Sequence, residues 1–518
     1  MSGMLNEFRN EPFTDFGKPE NQAAFTKALS LAGSSLGEEI PLVVGGRRVR
    51  TGKLLSNTNP ADRSVVLSRH HLADRSVVEK AIASARKAQP SWGALPARER
   101  ATVLLRAARL LRERRHEISA TMVLEIGKSW PEADVETAEA IDFLEFYARE
   151  SLRWGGEIPV TPYPSEFPET LYVPLGVGTV IPPWNFPAAI CLGMAAAATV
   201  TGNAVLLKPA SDTPLVAWRL FQILEEAGLP DGVVQYLPGP GADVGDYIVE
   251  HPLTRFISFT GSKAVGLGIQ QKASLAAKGQ LFVKRTVLEM GGKDFIVVDE
   301  DADFDEAVQQ VVASAFGFQG QKCSACSRAI VHKRLYRRFV DAVAARTEKL
   351  TVGPTTDRGN FVGPVASERQ FKTVTDYIGV GGREAMLVAG GTSDGKKGNF
   401  IRPTVFANVQ ARHRIFKEEI FGPVLAITEA RDFDHAIALA NDTEYGLTGS
   451  YFGRDRYRIQ RAKRELFCGN LYINRKCTGA LVGVHPFGGF NMSGTDSKAG
   501  GRDYLGLFLQ AKSISEKL

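Results

Sequence analysis

Helical periodicity dominates residues 75–153, where apolar positions recur at the spacing of one helix face. Within Arg98–Arg115, Leu104, Ala108 and Leu111 share one face, and arginines fill most of the remaining surface. The pattern therefore predicts a series of amphipathic helices that each bury one apolar face in a core.

From about residue 170 the pattern changes, and short apolar runs alternate with helical segments. The runs are Val177–Ile181, Ala204–Leu207, Val233–Leu237 and Phe256–Phe259. Strands that alternate with helices predict βαβ units and a parallel sheet. Ligands of such sheets bind beyond the carboxyl ends of the strands, so the residues after each run are candidates for a site. A second α/β pattern begins at Phe295–Val298.

Length and composition limit the class of protein. The chain has 518 residues, of which 44% are hydrophobic and 23% charged, and this composition is typical of a folded globular protein with room for about three domains. The net charge of +6 is small and spread along the chain, so we expect no nucleic-acid partner. The longest apolar run, Ala188–Val200, is too short to span a membrane. Acidic residues and the lack of an apolar run in Met1–Phe16 argue against a signal or transit peptide.

The five cysteines are few and odd in number, which favours a reducing cytoplasm over a disulfide-bonded secreted fold. Cys191 lies in an apolar helical run and reads as a core residue. Cys323 and Cys326 form a C-x-x-C pair, but no second Cys or His pair stands at zinc-ligand spacing. The sequence therefore predicts no metal site.

Three side chains suggest covalent chemistry. Cys323 follows glycines and Lys322, a setting expected to be partly open and electropositive, which would favour a thiolate. Glu289 stands in an apolar run before two glycines, where burial would raise its pKa toward that of a useful base. Asn185 sits in a proline-bounded turn after a predicted strand and could donate to an oxyanion. Taken singly, a satisfied core glutamate and a capping asparagine are the favoured interpretations.

A candidate phosphate site lies at Phe259–Ser262, where a predicted strand ends and a helix begins. Exposed backbone N–H groups at a helix start bind anions. Lys208, at the end of another predicted strand, could add a point charge. An ordinary strand-to-helix turn explains the same residues.

Considered together, these motifs occur in the order and spacing of the aldehyde dehydrogenase superfamily, which the chain resembles from about residue 40 to its C-terminus. The motifs are Asn185, Lys208, Gly261–Ser262, Glu289, Cys323 and Glu418–Pro423. The resemblance implies an α/β fold with a Rossmann-like cofactor domain, a catalytic α/β domain and a small β flap for oligomerisation. It implies residues 1–155 with 174–288 for the first, 289–488 for the second, and 156–173 with 495–518 for the flap.

The resemblance also implies roles. Cys323 would be the nucleophile, Glu289 the base and Asn185 the oxyanion amide. The cofactor would be NAD, and NADP would be tolerated because neutral Ser211 stands where many NAD-selective members carry Glu. The residues implied to contact the cofactor are Ile181, Trp184, Lys208, Ser211, Gly241, Gly261, Ser262, Glu419 and Phe421.

The C-terminal third narrows the resemblance through the segments Asn474–Ala480, Pro486–Thr495 and Lys498–Leu505. They resemble the branch of the family that oxidises L-glutamate γ-semialdehyde, formed from 1-pyrroline-5-carboxylate, in the second step of proline catabolism. Backbone N–H groups of Gly479 and Ala480 would hold the α-carboxylate of this small-molecule substrate. The other residues implied to contact it are Glu139 for its ammonium, Phe487 for its methylenes, and Phe186, Lys322 and Ser324.

The resemblance further implies a homo-oligomer built from dimers, in the cytoplasm, without a membrane partner. Cys477 occupies a position where the branch leads us to expect Ser. Two alternatives remain at this point: a dehydrogenase for another carboxylated aldehyde such as succinic semialdehyde, and a catalytically silent protein on the same scaffold. A coenzyme A-acylating enzyme would not need Glu289, so the presence of this residue favours water as the acyl acceptor.

Overall fold

The computed structural model describes residues 6–34 and 36–517. Residues 1–5, 35 and 518, which the predicted first domain and flap include, lie outside the described residues. The α-helices are α1 (Pro19–Ser34), α2 (Arg75–Ala94), α3 (Ala97–Glu113), α4 (Arg115–Ile126), α5 (Trp130–Trp154), α6 (Ala189–Val200), α7 (Pro214–Glu226), α8 (Asp246–Glu250), α9 (Lys263–Ser274), α10 (Phe304–Phe316), α11 (Tyr336–Glu348), α12 (Glu368–Glu384), α13 (Arg414–Lys417), α14 (Phe433–Asn441) and α15 (Arg456–Glu465). Within the described ranges, none of these helices is long and apolar enough to cross a membrane.

The strands fall into two large sheets and several small ones. They are β1 (Glu38–Ile40), β2 (Leu42–Val44), β3 (Arg47–Val49), β4 (Leu54–Asn59), β5 (Asp62–His71), β6 (Glu166–Pro174), β7 (Val177–Ile181), β8 (Ala204–Leu207), β9 (Val234–Tyr236), β10 (Phe256–Thr260), β11 (Arg285–Glu289), β12 (Phe295–Val298), β13 (Arg328–His332), β14 (Met386–Ala389), β15 (Ser393–Asp394), β16 (Phe400–Ile401), β17 (Thr404–Ala407), β18 (Val424–Ala430), β19 (Tyr445–Gly446), β20 (Thr448–Phe452), β21 (Asn470–Ile473), β22 (Phe490–Asn491) and β23 (Leu509–Lys517). Single turns of π-helix and 3-10 helix cover Gly241–Gly245, Gly317–Gly320 and Tyr504–Phe508.

The first sheet has the order β11-β10-β7-β8-β9-β2-β3, and its first five strands run parallel. Helices cover both faces. In β8, Ala204 and Leu206 pack into one apolar cluster with α2, and Val205 and Leu207 pack into another with α5 and α6. A strand that is buried on both faces has a continuous apolar sequence, and for this reason β8 could be predicted from the sequence.

The second sheet has the order β14-β17-β18-β13-β12-β20-β21 and is parallel apart from β14. Successive residues of β12 again belong to opposite clusters. Asp303 caps α10 by accepting the backbone N–H of Glu306 at 3.3 Å. Two doubly covered parallel sheets confirm the predicted α/β class.

A long ribbon pairs β6 with β23 antiparallel, from Leu509 opposite Pro174 to Lys517 opposite Glu166. Phe167 and Leu171 on this ribbon are exposed. The ribbon accounts for only part of the predicted flap, because residues 495–508 contain the 3-10 turn and no strand.

The two large sheets meet end to end. Glu289 closes β11 in the first sheet, and only six residues later Phe295 opens β12 in the second. Carboxyl ends of parallel strands in the first sheet therefore face the amino ends of strands in the second. The loops that fill this junction carry the candidate site residues.

Candidate active site

A cavity of about 310 Å³ lies at this junction, between the ends of the sheets and the side of α5. Nine of the predicted site residues line it. They are Glu139, Phe186, Glu289, Lys322, Cys323, Ser324, Gly479, Ala480 and Phe487. Residues from six separate stretches of chain thus come together as the motif order implied.

The loop of residues 317–323, here called the nucleophile loop, follows α10 and carries Cys323 at its end. Phe318 and Gln319 adopt left-handed backbone conformations, with φ of 49° and 56°. The Gln319 side chain holds this turn by donating to the carbonyls of Gly127 at 2.9 Å and Pro364 at 2.8 Å. Strained conformations of this kind persist only where the surroundings fix them.

Asn185 lies directly beside the nucleophile loop. Its side-chain Nδ2 donates to the backbone carbonyl of Gln321 at 3.0 Å, and the residue is 4% exposed. The amide is therefore held in one orientation two residues before Cys323. Asn185 is not among the residues that line the cavity, so its role as an oxyanion donor stays a prediction.

The expected electropositive setting of Cys323 is absent. Lys322 does precede it, but the lysine amine is ion-paired with Glu132 at 2.7 Å. Burial, followed by the negative charge of Asp294, raises the pKa of the Cys323 thiol well above its ordinary value. Cys323 is nevertheless partly exposed, as expected, and a thiol with a raised pKa has to lose its proton before or during attack.

Glu289 fits its predicted environment. The side chain is buried; one carboxyl oxygen, Oε1, accepts the Ser497 hydroxyl, while Oε2 has no hydrogen-bond partner among the described residues. Burial raises the pKa of this carboxyl to about 8. A carboxylate that ionises near neutral pH and faces a cavity is suited to general-base catalysis.

The candidate cofactor residues follow the carboxyl ends of β7, β8 and β10. Ile181 ends β7, and three residues later the Trp184 ring packs edge-on against Phe421 at 5.3 Å between centroids. Lys208 follows β8, where burial lowers its pKa to about 8. Ser262 immediately precedes α9 as its N-cap residue, and its side chain makes no capping hydrogen bond to the N–H groups of the first helical turn.

Glu419 reaches the same region from the second sheet. Its Oε1 accepts the Gly292 N–H at 3.0 Å, and burial raises its pKa to about 7. A Cβ on Gly291 would lie 2.2 Å from Glu419 Oε2, so only glycine permits this approach. Ser211 and Gly241 are exposed in the turns beyond β8 and β9. A buried cation, an open helix start and a fixed carboxylate together fit the phosphates and ribose of a dinucleotide.

A buried ion pair behind Phe186 escaped the sequence analysis. Glu136 accepts two backbone N–H groups at the start of α6, at 2.7 and 3.1 Å, and pairs with Lys128. The Lys128 amine lies 3.9 Å from the Phe186 ring centroid and 4.3 Å from that of Phe318. The pair therefore braces both a cavity wall and the nucleophile loop.

Further cavity residues were also missed. They are Glu132, Val135, Phe143, Tyr147, Met194, Lys476, Thr478 and Tyr504. Glu132, Val135, Glu139, Phe143 and Tyr147 recur at helical spacing along α5. That periodicity, read outward from Glu139, could have identified this wall from the sequence.

The other cysteines do not reach the cavity, and all five are free. Cys326 and Cys477 are buried; the Cys326 thiol donates to the Arg328 carbonyl at 3.5 Å, and the Cys477 thiol donates to the Ser324 carbonyl at 3.3 Å. Among residues 6–34 and 36–517, no group of three His, Cys, Asp or Glu side chains is arranged to hold a metal ion.

Comparison with known proteins gives consistent matches. The sequence model of the aldehyde dehydrogenase family matches residues 48–514. The 1-pyrroline-5-carboxylate dehydrogenase of Geobacillus sp. (strain WCH70) is 52% identical over 513 residues, covering 99% of this chain and 100% of that protein. The counterpart from Bacillus cytotoxicus is 51% identical over 515 residues, with the same coverage. The structure of 1-pyrroline-5-carboxylate dehydrogenase from Thermus with bound NAD matches with a TM-score of 0.98 at 48% identity, covering 100% of both chains.

Proposed function

This chain belongs to the aldehyde dehydrogenase family, and from that premise we propose that it oxidises L-glutamate γ-semialdehyde to L-glutamate with NAD. The semialdehyde forms when 1-pyrroline-5-carboxylate opens by adding water. One observation carries the proposal: a single cavity holds a cysteine, a carboxyl with a raised pKa, and the backbone of Gly479 and Ala480. These are the groups that covalent oxidation of a carboxylated aldehyde requires.

Covalent chemistry begins at Cys323. Its sulfur attacks the aldehyde carbon, the carbonyl π electrons move onto the oxygen, and the thiol proton passes through solvent to that oxygen to give a thiohemiacetal. The Asn185 side-chain amide and the Cys323 backbone N–H stabilise the oxygen that becomes negative. Because Asn185 is already fixed by its bond to the Gln321 carbonyl, little reorganisation is needed during the step.

NAD, when bound, would accept the hydride that the thiohemiacetal loses; loss of that hydride and of the hydroxyl proton leaves a thioester. Residues that would hold NAD include Lys208 and the uncapped start of α9 at Gly261–Ser262 for phosphates, and Glu419 for ribose hydroxyls. Ile181, Trp184 and Phe421 would contact its rings, and Ser211 and Gly241 would flank the adenosine end. The neutral Ser211 leaves room for NADP as a weaker alternative.

Glu289 then acts on water. As the carboxylate, it removes a proton while the water oxygen attacks the thioester carbon, and cleavage of the carbon–sulfur bond releases the acid. The free Cys323 thiolate takes up a proton and returns to its resting form.

The two ends of the substrate meet different walls. The N–H groups of Gly479 and Ala480, with Ser324, would hold the α-carboxylate. Glu139 would face the ammonium, and Phe487 would pack on the methylenes. The remaining proposed substrate contacts are Phe186 and Lys322. The Lys322 amine is ion-paired with Glu132.

We also propose the domain assignment, the assembly and the location. Residues 1–155 and 174–288 form the cofactor domain, 289–488 the catalytic domain, and 156–173 with 495–518 the flap. The exposed apolar side chains of the β6–β23 ribbon support a dimer-based homo-oligomer. Five free cysteines support a reducing cytoplasm. A monomeric mass in light scattering at micromolar concentration would contradict the assembly.

The function is tested by following reduced cofactor at about 340 nm with a panel of aldehydes. We expect kcat/KM to be highest for 1-pyrroline-5-carboxylate, lower for succinic semialdehyde and lowest for aldehydes without a carboxylate. Higher kcat/KM for succinic semialdehyde would overturn the substrate assignment. No oxidation of any aldehyde would overturn the enzymatic function.

A further inference from the structure

The loop that follows β21, residues 474–480, is held by hydrogen bonds at two points. At its start, the Asn474 side-chain amide exchanges two hydrogen bonds of 3.0 Å with the Gly453 backbone. Further on, Cys477 Sγ donates to the Ser324 carbonyl at 3.3 Å, beside the nucleophile. The loop therefore has a fixed path from the second sheet to the cavity.

Within this loop, one side chain binds two consecutive backbone carbonyls. The guanidinium Nη2 of Arg475 donates to the Thr478 carbonyl at 2.9 Å and to the Gly479 carbonyl at 3.0 Å. The guanidinium lies 4.3 Å from the Tyr472 ring centroid, which restrains it from the other side. Thr478, Gly479 and Ala480 line the cavity, whereas Arg475 approaches the turn from behind.

The direction of the N–H groups follows from peptide geometry. In a trans peptide unit the carbonyl and the N–H point in opposite directions, and both units here are trans. Since Arg475 holds the carbonyls of Thr478 and Gly479, the N–H groups of Gly479 and Ala480 point away from it. Gly479 has φ of +79°, a conformation that brings successive N–H groups toward one anion.

We propose that Arg475 is a positioning residue that sets the affinity of this site for substrates with an α-carboxylate. By holding the two carbonyls, it presents the Gly479 and Ala480 N–H groups to the carboxylate without touching the substrate itself. The inference rests on the proposed function, and it assigns the selectivity for carboxylated aldehydes to a side chain outside the cavity.

The test compares Arg475→Gln with the wild type on 1-pyrroline-5-carboxylate and on butanal, which has no carboxylate. Two lost backbone hydrogen bonds to a charged group predict a rise in KM for the first substrate of about tenfold or more. The KM for butanal and both kcat values should stay within about twofold, because Cys323 and Asn185 are untouched. Inhibition by L-glutamate should weaken by the same factor as the KM rises.

Arg456→Gln is the matched control, since Arg456 is exposed at the start of α15, outside the cavity and the loop. Equal KM increases for both aldehydes, or no increase for either, would overturn the role of Arg475. Arg475→Lys keeps the positive charge but lacks the planar guanidinium, so we expect its KM for 1-pyrroline-5-carboxylate to lie between those of the wild type and Arg475→Gln. An unchanged KM in both the Lys and the Gln variant would refute the inference. Failure of the proposed function would show differently, as absence of 1-pyrroline-5-carboxylate oxidation in the wild type.

Discussion

Hydrolysis of the Cys323 thioester should accelerate as the pH rises through the pKa of Glu289. Burial raises the pKa of this carboxyl from 4.5 to about 8, and only the ionised form can take a proton from water. At pH 7 about one tenth of the carboxyl is ionised, and at pH 9 about nine tenths. The hydrolysis rate should therefore rise about tenfold across this interval and then level off.

Single-turnover measurements separate this step from the earlier ones. Enzyme with NAD is mixed with substrate, the burst of reduced cofactor reports acylation, and quenched samples analysed by mass spectrometry report loss of the acyl-enzyme. Glu289→Gln should keep the burst, accumulate the acyl-enzyme and lose the rise with pH. Ser497→Ala should move the rise to higher pH, because the Ser497 hydroxyl lowers the pKa of Glu289.

Two results would refute this reasoning. The first is a hydrolysis rate in the wild type that is flat from about pH 6 to 9. The second is a Glu289→Gln variant that keeps the pH dependence, which would assign the ionisation to another group. A variant without any burst would show that Glu289 acts before the thioester forms.

Three further changes test other parts of the site. Cys323→Ala should abolish oxidation while cofactor binding, followed by fluorescence, persists; Cys326→Ala should have a much smaller effect, and turnover by the first variant would refute the nucleophile. Lys128→Met should cost about 3–5 kcal/mol of stability by leaving the Glu136 charge buried without its partner, and Lys128→Met/Glu136→Gln should recover most of the lost Tm; equal Tm values for the two variants would contradict this. Ser211→Glu should raise NAD over NADP selectivity in kcat/KM by ~1–3 kcal/mol, and a wild type without any NADP turnover would contradict the expected tolerance.

The sequence predicted best where strands are buried on both faces. The runs Val177–Ile181, Ala204–Leu207 and Phe295–Val298 match β7, β8 and β12 residue for residue. Such strands are mostly apolar, with Gly178 and Thr179 of β7 as the exceptions, so their limits coincide with the limits of the run. The helices between residues 75 and 154 were equally visible: α2 and α3 each bury a periodic stripe, whereas α4 and α5 are buried on more than one side.

Strands β1 to β5, between residues 38 and 71, were missed. Most are three to six residues long and carry exposed polar positions, so they lack a run that stands out from a loop. Their partners are often distant: β2 pairs with β9, almost two hundred residues away. Short strands of this kind are fixed by the tertiary fold and not by local preference.

The candidate site shows the same difference between features set by neighbouring residues and features set by distant ones. Motifs identified Cys323, Glu289 and the Gly479–Ala480 loop, because each depends on residues adjacent in the chain. The ion-pair partner of Lys322 could not be identified from a local motif, since Glu132 lies 190 residues away. Because Lys322 is paired with Glu132, its charge is not free to stabilise a Cys323 thiolate. Burial instead raises the pKa of the Cys323 thiol, where the sequence had led us to expect it lowered.

A consistent electrostatic state follows from these pairs. Two acids of the cavity favour their neutral forms at pH 7, because burial raises the pKa of the Cys323 thiol well above its usual range and the pKa of Glu289 to about 8, whereas Glu132 in the same cavity is ion-paired with Lys322. Buried charges without partners are costly, so a resting site with a thiol and a carboxylic acid is less destabilising than one with two anions. Each anion is needed only while the reaction consumes it, Cys323 on attack and Glu289 on hydrolysis. A resting site that is stabilised by neutral acids therefore makes the reaction rate depend on pH. This dependence should be strongest in thioester hydrolysis, the step that uses Glu289.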